Sequence, residues 1–291
     1  MRVLLATDGS KEATSALRAA SRLLSRTNVE AHALYVSPRP WALKSGHITR
    51  HDYQRRLAAE TKRVLEDAKH VLTEEGIDAL TLCESGSPAK IIMEEAVDYD
   101  LTVLGAKGSA VRSDVGLGPV ASRLVEHATG CVLIGREPPG DRQARILVPL
   151  DGSDGSMKAL DALGSYFDLE SAEITLLHVM ETLWLPQDDD DESKVEEEEN
   201  DQVKIELRRE AEQLLTRAQV RILAQHPGVT KLTREGVPAN EILAEADQGE
   251  YDLVVVGATG ATDMKHSVLG SVSSKVAWNA PCSVLVVRIP E

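Results

Sequence analysis

The sequence is short of aromatic side chains, at 3%, while its apolar fraction of 42% is ordinary for a globular protein. Cysteine is scarce and odd in number: Cys83, Cys131 and Cys282, with no Cys-x-x-Cys pair. That excludes a disulfide framework and points to three buried thiols in a reducing cytoplasm. No neighbouring residue would clearly lower a thiol pKa, so a redox role is set aside. Apolar runs long enough for a membrane helix are missing. The opening MRVLLATDGS reads as a strand and turn instead of the apolar region of a signal peptide. The eight histidines form no His-Glu-x-x-His or paired-ligand spacing, so no structural zinc site is expected. Gly-x-Ser-x-Gly is absent, no nucleophile-and-base set is recognisable, and no catalytic residue is assigned.

A basic excess is also lacking. Thirty-two Lys and Arg face 47 Asp and Glu, a net charge of -15. The first 143 residues balance 19 basic against 19 acidic side chains; the rest hold 13 against 28. Most of the excess lies in DDDDESKVEEEEND (188–201), ten acids against Lys194. This argues against nonspecific nucleic-acid or anionic-membrane binding, which need basic surface. The segment 187–201 reads as an acidic loop insertion, solvated and disordered, with a basic protein partner or a metal as the sharper alternatives.

What is present is a repeat. VLLATDGSKEATSAL from Val3 matches ILVPLDGSDGSMKAL from Ile146, and AHALYVSPRPW from Ala31 matches TLLHVMETLW from Thr175. ESGSPAKIIMEEAVDYDLTVLGAKG from Glu84 matches REGVPANEILAEADQGEYDLVVVGATG from Arg234, and CVLIG from Cys131 matches CSVLVV from Cys282. The offset grows from 143 to 152, largely through the acidic insertion. The Pro/Gly-rich REPPGDRQAR joins the copies, dividing the chain into domains 1–140 and 144–291. In each copy short apolar runs alternate with helical patterns; in the first helix Ala16, Leu17, Ala20, Leu23 and Leu24 share a face. That pattern predicts α/β architecture: two doubly wound domains, each a parallel sheet flanked by helices. Ligands in such sheets bind beyond the carboxyl ends of the strands.

A glycine motif follows the fourth strand of each copy, at that edge. Both read Gly, two residues, Gly, nine residues, Gly: Gly105, Gly108 and Gly118, then Gly257, Gly260 and Gly270. Glycine permits close backbone approach and positive φ. Gly270 and Ser271 open a predicted helix, whose free N–H groups and dipole favour an anion. Ser271 and Ser273 add hydroxyls, and Lys265 and His266 add charge, making a phosphate cradle without the Gly-Lys-Ser/Thr of a Walker loop. GLGPVA (116–121) fits a dinucleotide fingerprint but lies ten residues beyond its strand, so it is rejected. Asp8 and Asp151 end the first strands in Asp-Gly-Ser. Each is either a turn and cap residue or a carboxylate that accepts from a base amine or ribose hydroxyl. Trp41 and Trp184, equivalent in the repeat, pack a mobile connection or rim a pocket.

As an ordered set, the Asp-Gly-Ser turns, the Gly-x-Pro-Ala at Gly86 and Gly236, the glycine motifs and the final apolar strand resemble the universal stress protein family. The likeness covers almost the whole chain, in the tandem two-domain, ATP-binding form. It implies five-stranded parallel sheets of the adenine nucleotide alpha hydrolase type, and ATP, or ADP or AMP, with Mg²⁺ accompanying a triphosphate. By resemblance Asp151 contacts adenine or ribose and Val179 lines the base through its backbone. Gly257, Gly260, Gly270, Ser271, Val272 and Ser273 surround ribose and phosphates. The family also implies dimerisation through the last strand, as a homodimer or, here, as a pseudo-dimer of CVLIG with CSVLVV.

The first copy departs from the family: Ser271 corresponds to Pro119 and Ser273 to Ala121. Proline has no N–H, yet it suits the first turn of a helix. Domain 1 keeps Asp8, Val36, Gly105, Gly108 and Gly118 as a weaker site, with Arg112 a candidate compensation. The expectation is a cytoplasmic, ATP-binding protein with a regulatory or stress-response role, nucleotide held mainly by domain 2. The alternatives are a scaffold with both sites vestigial and an unknown protein partner, or a slow ATPase for which no catalytic base is found.

Overall fold

The computed structural model describes residues 1–24, 29–37, 50–109, 116–137, 142–167, 169, 172–181, 193–223, 226, 228–260 and 269–288. Trp41, Arg112, Trp184, Lys265, His266 and residues 188–192 lie outside that set.

The first half runs β1 (Arg2–Thr7), α1 (Lys11–Leu23), β2 (Glu30–Ser37), α2 (Arg50–Glu74), β3 (Ala79–Ser85), α3 (Pro88–Glu95), β4 (Leu101–Gly105), α4 (Pro119–His127) and β5 (Cys131–Gly135). The second half repeats it as β6 (Ala144–Pro149), α5 (Asp154–Tyr166), β7 (Ala172–Met180), α6 (Ser193–Leu223), β8 (Val229–Glu235), α7 (Pro238–Gln248), β9 (Leu253–Gly257), α8 (Ser271–Asn279) and β10 (Ser283–Val287). Local chemistry explains the starts. Ser10 and Ser153 cap α1 and α5, each hydroxyl accepting from a backbone N–H three residues on. Pro88, Pro119 and Pro238 occupy first-turn positions, where the missing N–H costs no hydrogen bond. Gly9 and Gly152 take φ of +74° and +82° in the turns leading to the capping serines, a conformation disfavoured for residues with a Cβ.

The ten strands form one sheet in the order β3-β2-β1-β4-β5-β10-β9-β6-β7-β8. Within each half all pairings are parallel, and the chain reverses its direction of growth between β1 and β4, and again between β6 and β9. Those two points open a crevice at the carboxyl edge. Central strands β4, β5, β9 and β10 are wholly buried, consistent with their unbroken apolar sequences. Among the described residues, no helix is long and apolar enough to cross a membrane.

The halves meet where β5 and β10 pair antiparallel, with Val132, Leu133 and Ile134 opposite Val286, Leu285 and Val284. Arg136 and Arg288, equivalent in the repeat, reinforce the seam reciprocally. The Arg136 guanidinium donates to the carbonyls of Ala277 and Cys282 at 3.1 and 3.0 Å, at the end of α8. That of Arg288 donates to the carbonyls of Val125 and Glu126 at the end of α4. Each half thus supplies a cation to the negative end of the other's last helix.

Two expectations need correction. The acidic segment, expected as loop, belongs from Ser193 onward to the 31-residue helix α6. Glutamate is a good helix former, and acidic residues near a helix N-terminus complement its dipole. Cys131 and Cys282 are buried, but Cys83 is exposed. It lies on β3, the outermost strand of the sheet, whose side chains are largely uncovered.

Candidate functional site

The second switch point holds a cavity of about 600 Å³. Asp151, Val179, Gly257, Gly260, Gly270, Ser271, Val272 and Ser273 all line it. Its floor is the carboxyl edge of the sheet and the starts of α5 and α8. Leu177, Val179, Ile242 and Val256 make an apolar side, and Leu207, Ala211 and Leu214 of α6 face them. A mostly apolar crevice with a few convergent polar groups suits a small organic ligand.

Asp151 follows β6. Its Oδ1 accepts from the Ser153 N–H at 3.0 Å and from the Ser153 hydroxyl at 2.5 Å. The Ser153 hydroxyl oxygen in turn accepts from the Ser156 N–H at 3.2 Å, so one serine caps α5 and orients the carboxylate. The turn reading and the binding reading of this aspartate are therefore compatible. A Cβ on Gly260 would lie 2.8 Å from Asp151 Oδ2, so the loop after β9 passes close over the carboxylate.

The same approach recurs in the first half, where a Cβ on Gly108 would stand 2.7 Å from Asp8 Oδ2. The Ser109 N–H donates to that oxygen at 2.7 Å, and the Ser10 N–H donates to Oδ1 at 3.0 Å. Burial pushes the Asp8 pKa up, but hydrogen bonds from Ser10 and Ser109 outweigh it and leave the carboxyl below its ordinary value.

The first glycine of each motif also has a packing role. Neither Gly105 nor Gly257 has positive φ. A Cβ on Gly257 would fall 2.5 Å from the Gly155 backbone, and one on Gly105 would fall 2.9 Å from that of Glu12. These glycines let α5 and α1 start directly against the ends of β9 and β4.

The third glycine is an N-cap. The Gly270 N–H donates to the Ala258 carbonyl at 2.7 Å, and the Gly270 carbonyl accepts from the Ser274 N–H at 2.8 Å. The first-turn N–H groups of Ser271, Val272 and Ser273 have no carbonyl available in their own helix. Beside them stands the Ser271 hydroxyl. The Ser273 hydroxyl, expected as a ligand donor, instead donates to the Gly257 carbonyl at 2.6 Å. It braces α8 against the end of β9.

The first half reproduces this backbone. The Gly118 N–H donates to the Ala106 carbonyl at 2.8 Å, and its carbonyl accepts from the Ser122 N–H at 2.9 Å. Gly118 has φ -73° and ψ 167°, against -66° and 152° for Gly270. Only the donors differ: Pro119 offers no N–H or hydroxyl, and Ala121 lacks the brace. Val36 is the next-to-last residue of β2, opposite Glu84, as Val179 is of β7, opposite Arg234.

Several lining residues carry no signal in the sequence motifs. Pro149 and Leu150 precede Asp151, and His178 precedes Val179. His178 Nδ1 lies 2.7 Å from the Leu150 carbonyl, which only accepts. Nδ1 therefore carries the proton in that bond, leaving Nε2 as the acceptor of the neutral ring. Glu210 and Arg217 come from α6 with the leucines. The spacing 207, 211, 214, 218 marks one helical face, a signal of burial that does not say what the face covers.

A parallel sheet carrying a crevice at its switch point, with a carboxylate on one side and an open helix N-terminus on the other, defines a doubly wound α/β protein with the cleft in which such folds take ligands. The sequence profile of the universal stress protein family matches residues 1–136 and again 144–288. The chain belongs to that family, as a tandem of two such domains. Universal stress protein YxiE of Bacillus subtilis is 34% identical over 145 residues, half of this chain and 98% of that protein. Universal stress protein Mb2019 of Mycobacterium bovis is 26% identical across 99% of this chain and 95% of its own length. A crystal structure of a universal stress protein from Archaeoglobus fulgidus has the same fold throughout. Its TM-score is 0.68 at 21% identity, covering 99% of this chain and 98% of that one.

Proposed function

We propose that the second half binds an adenine nucleotide, ATP foremost, and that occupancy regulates the protein in a cytoplasmic stress-response role. One observation carries this reading: the cavity brings Asp151 and the start of α8 together. Asp151 is an acceptor for a base amine or ribose hydroxyl, with the Val179 backbone beside the base. The N–H groups of Ser271, Val272 and Ser273, with the Ser271 hydroxyl, are donors for phosphate oxygens. Gly260 keeps the loop close to Asp151, and Gly257 and Gly270 set the strand and helix that frame it. Among the described residues, no cluster of three or more His, Cys, Asp or Glu side chains could hold a metal. A Mg²⁺ ion accompanying ATP would be carried mainly by the phosphates. Bound nucleotide stabilises the domain by mass action and shifts the equilibrium between conformations or partners.

The test is nucleotide content and stoichiometry. Ligand is extracted from the purified chain and identified, and the stripped protein is titrated with ATP and Mg²⁺ by calorimetry. About one ATP per chain is expected, with uptake sharply weakened in Ser271→Pro. Two per chain would mean that Pro119 is tolerated, and none would favour a scaffold.

A further inference from the structure

The described lining of the cavity holds three carboxylates, Asp151, Glu181 and Glu210, and one guanidinium, Arg217. A phosphate-bearing ligand entering there meets more negative than positive charge, and Arg217 is the single Lys or Arg to offset it among those residues. It has no ion-pair or hydrogen-bond partner among the described residues. Nearby arginines are engaged: Arg221 with Asp161, Arg209 with Glu206, Arg234 with Glu245. α6 joins two parallel strands, so it descends from the carboxyl edge towards the other end of the sheet. Its Cα–Cβ bonds lean back towards its N-terminus, which aims a long side chain at position 217 up into the cavity.

The first half distributes its charges differently, with Arg63 and Lys107 at the positions of the lining residues Gln213 and Thr259. A Cβ on Gly152 would lie 3.7 Å from Leu214, and one on Gly9 would lie 2.9 Å from Val64. Leu214 and Val64 are therefore equivalent, a register kept by the buried pairs Ala218 with Ala68 and Ile222 with Leu72. Three residues beyond Val64, at the position of Arg217, stands Asp67.

We infer that Arg217 determines the cavity's preference for phosphate-bearing ligands by supplying their counter-charge, at a position where the first half has Asp67. This rests on the nucleotide reading above. The experiment titrates the stripped full-length chain and its Arg217→Gln and Arg217→Lys variants with ATP and, separately, with adenosine, at two salt concentrations. Arg217→Gln is expected to weaken ATP by about ten- to a hundredfold, the effect of removing one charge-assisted hydrogen bond, while adenosine changes by less than about twofold. Arg217→Lys keeps part of the ATP affinity, and the salt dependence of ATP binding becomes shallower in Arg217→Gln. Wild-type chain that binds ATP while Arg217→Gln binds it equally well overturns the role of Arg217 alone. So does an equal loss for ATP and adenosine, which would place Arg217 at the base or in the packing. Wild-type chain that binds neither compound overturns the nucleotide reading and this inference together.

Discussion

The two clefts are nearly the same backbone with different donors. Both have the Asp-Gly-Ser turn, a glycine closing on the aspartate, and a third glycine whose N–H and carbonyl make matching hydrogen bonds. They part at the first residue of the following helix, Ser271 against Pro119. Proline is tolerated there because an N1 N–H takes no part in the helix ladder. The difference teaches that a binding function can drift away from a position without disturbing the fold. The groups that face a ligand at a helix start are those the helix itself leaves unused.

The largest expected effect is an exchange at that position. Ser271→Pro removes one backbone donor and one hydroxyl, each worth about 1.5–3 kcal/mol against a charged phosphate. ATP affinity should fall by about two to four powers of ten if the losses add, while the thermal midpoint of the ligand-free protein stays nearly constant. Calorimetry beside thermal unfolding checks both halves of the statement, and a large loss of stability would break the comparison. The reciprocal Pro119→Ser should gain less than Ser271→Pro loses, because the first half has no arginine at the position of Arg217. An equal gain would remove Arg217 from the account.

A smaller effect separates bracing from binding. Ser273→Ala removes the hydrogen bond to the Gly257 carbonyl, so unfolding in urea should show a loss of about 1 kcal/mol. Its ATP affinity should follow that of wild type, because the hydroxyl is committed to the strand. If affinity drops as in Ser271→Pro, the hydroxyl turns towards ligand instead.

The smallest effect concerns acid. The Asp8 carboxyl in the folded protein titrates below its ordinary value of 3.8 because Ser10 and Ser109 hydrogen-bond the ionised form. Its contribution to stability is complete above the unfolded pKa and is lost as pH falls through the lower folded one. Asp8→Asn should therefore flatten the fall in stability below about pH 4. An unchanged acid slope would mean that the carboxylate is not held by those bonds.

Much of this is legible in the sequence because the repeat ties motifs to strand ends. A residue that ends a parallel strand must lie at the carboxyl edge, so Asp151, Val179 and the glycine motif can be brought to one crevice before any helix is placed. The α6 wall is not legible. Leu207, Ala211 and Leu214 announce a buried face, but what that face meets depends on how the helix docks. The job of Ser273 is hidden for a related reason: a serine in the first turn of a helix has the same sequence signature whether its hydroxyl points to a ligand or back to a strand. Cys83 misleads because an apolar run at a sheet edge resembles one at the centre, and the acidic segment because charge density masks good helix formers.

The seam formed by β5, β10 and the exchanged arginines has a consequence for assembly. Two separate domains joined this way would associate in proportion to concentration and could pair like with like. Here the partner is tethered, so the encounter is intramolecular and dilution does not part it. Every molecule therefore contains one serine-bearing and one proline-bearing cleft, in a ratio that expression level cannot alter: an obligate heterodimer written into a single chain.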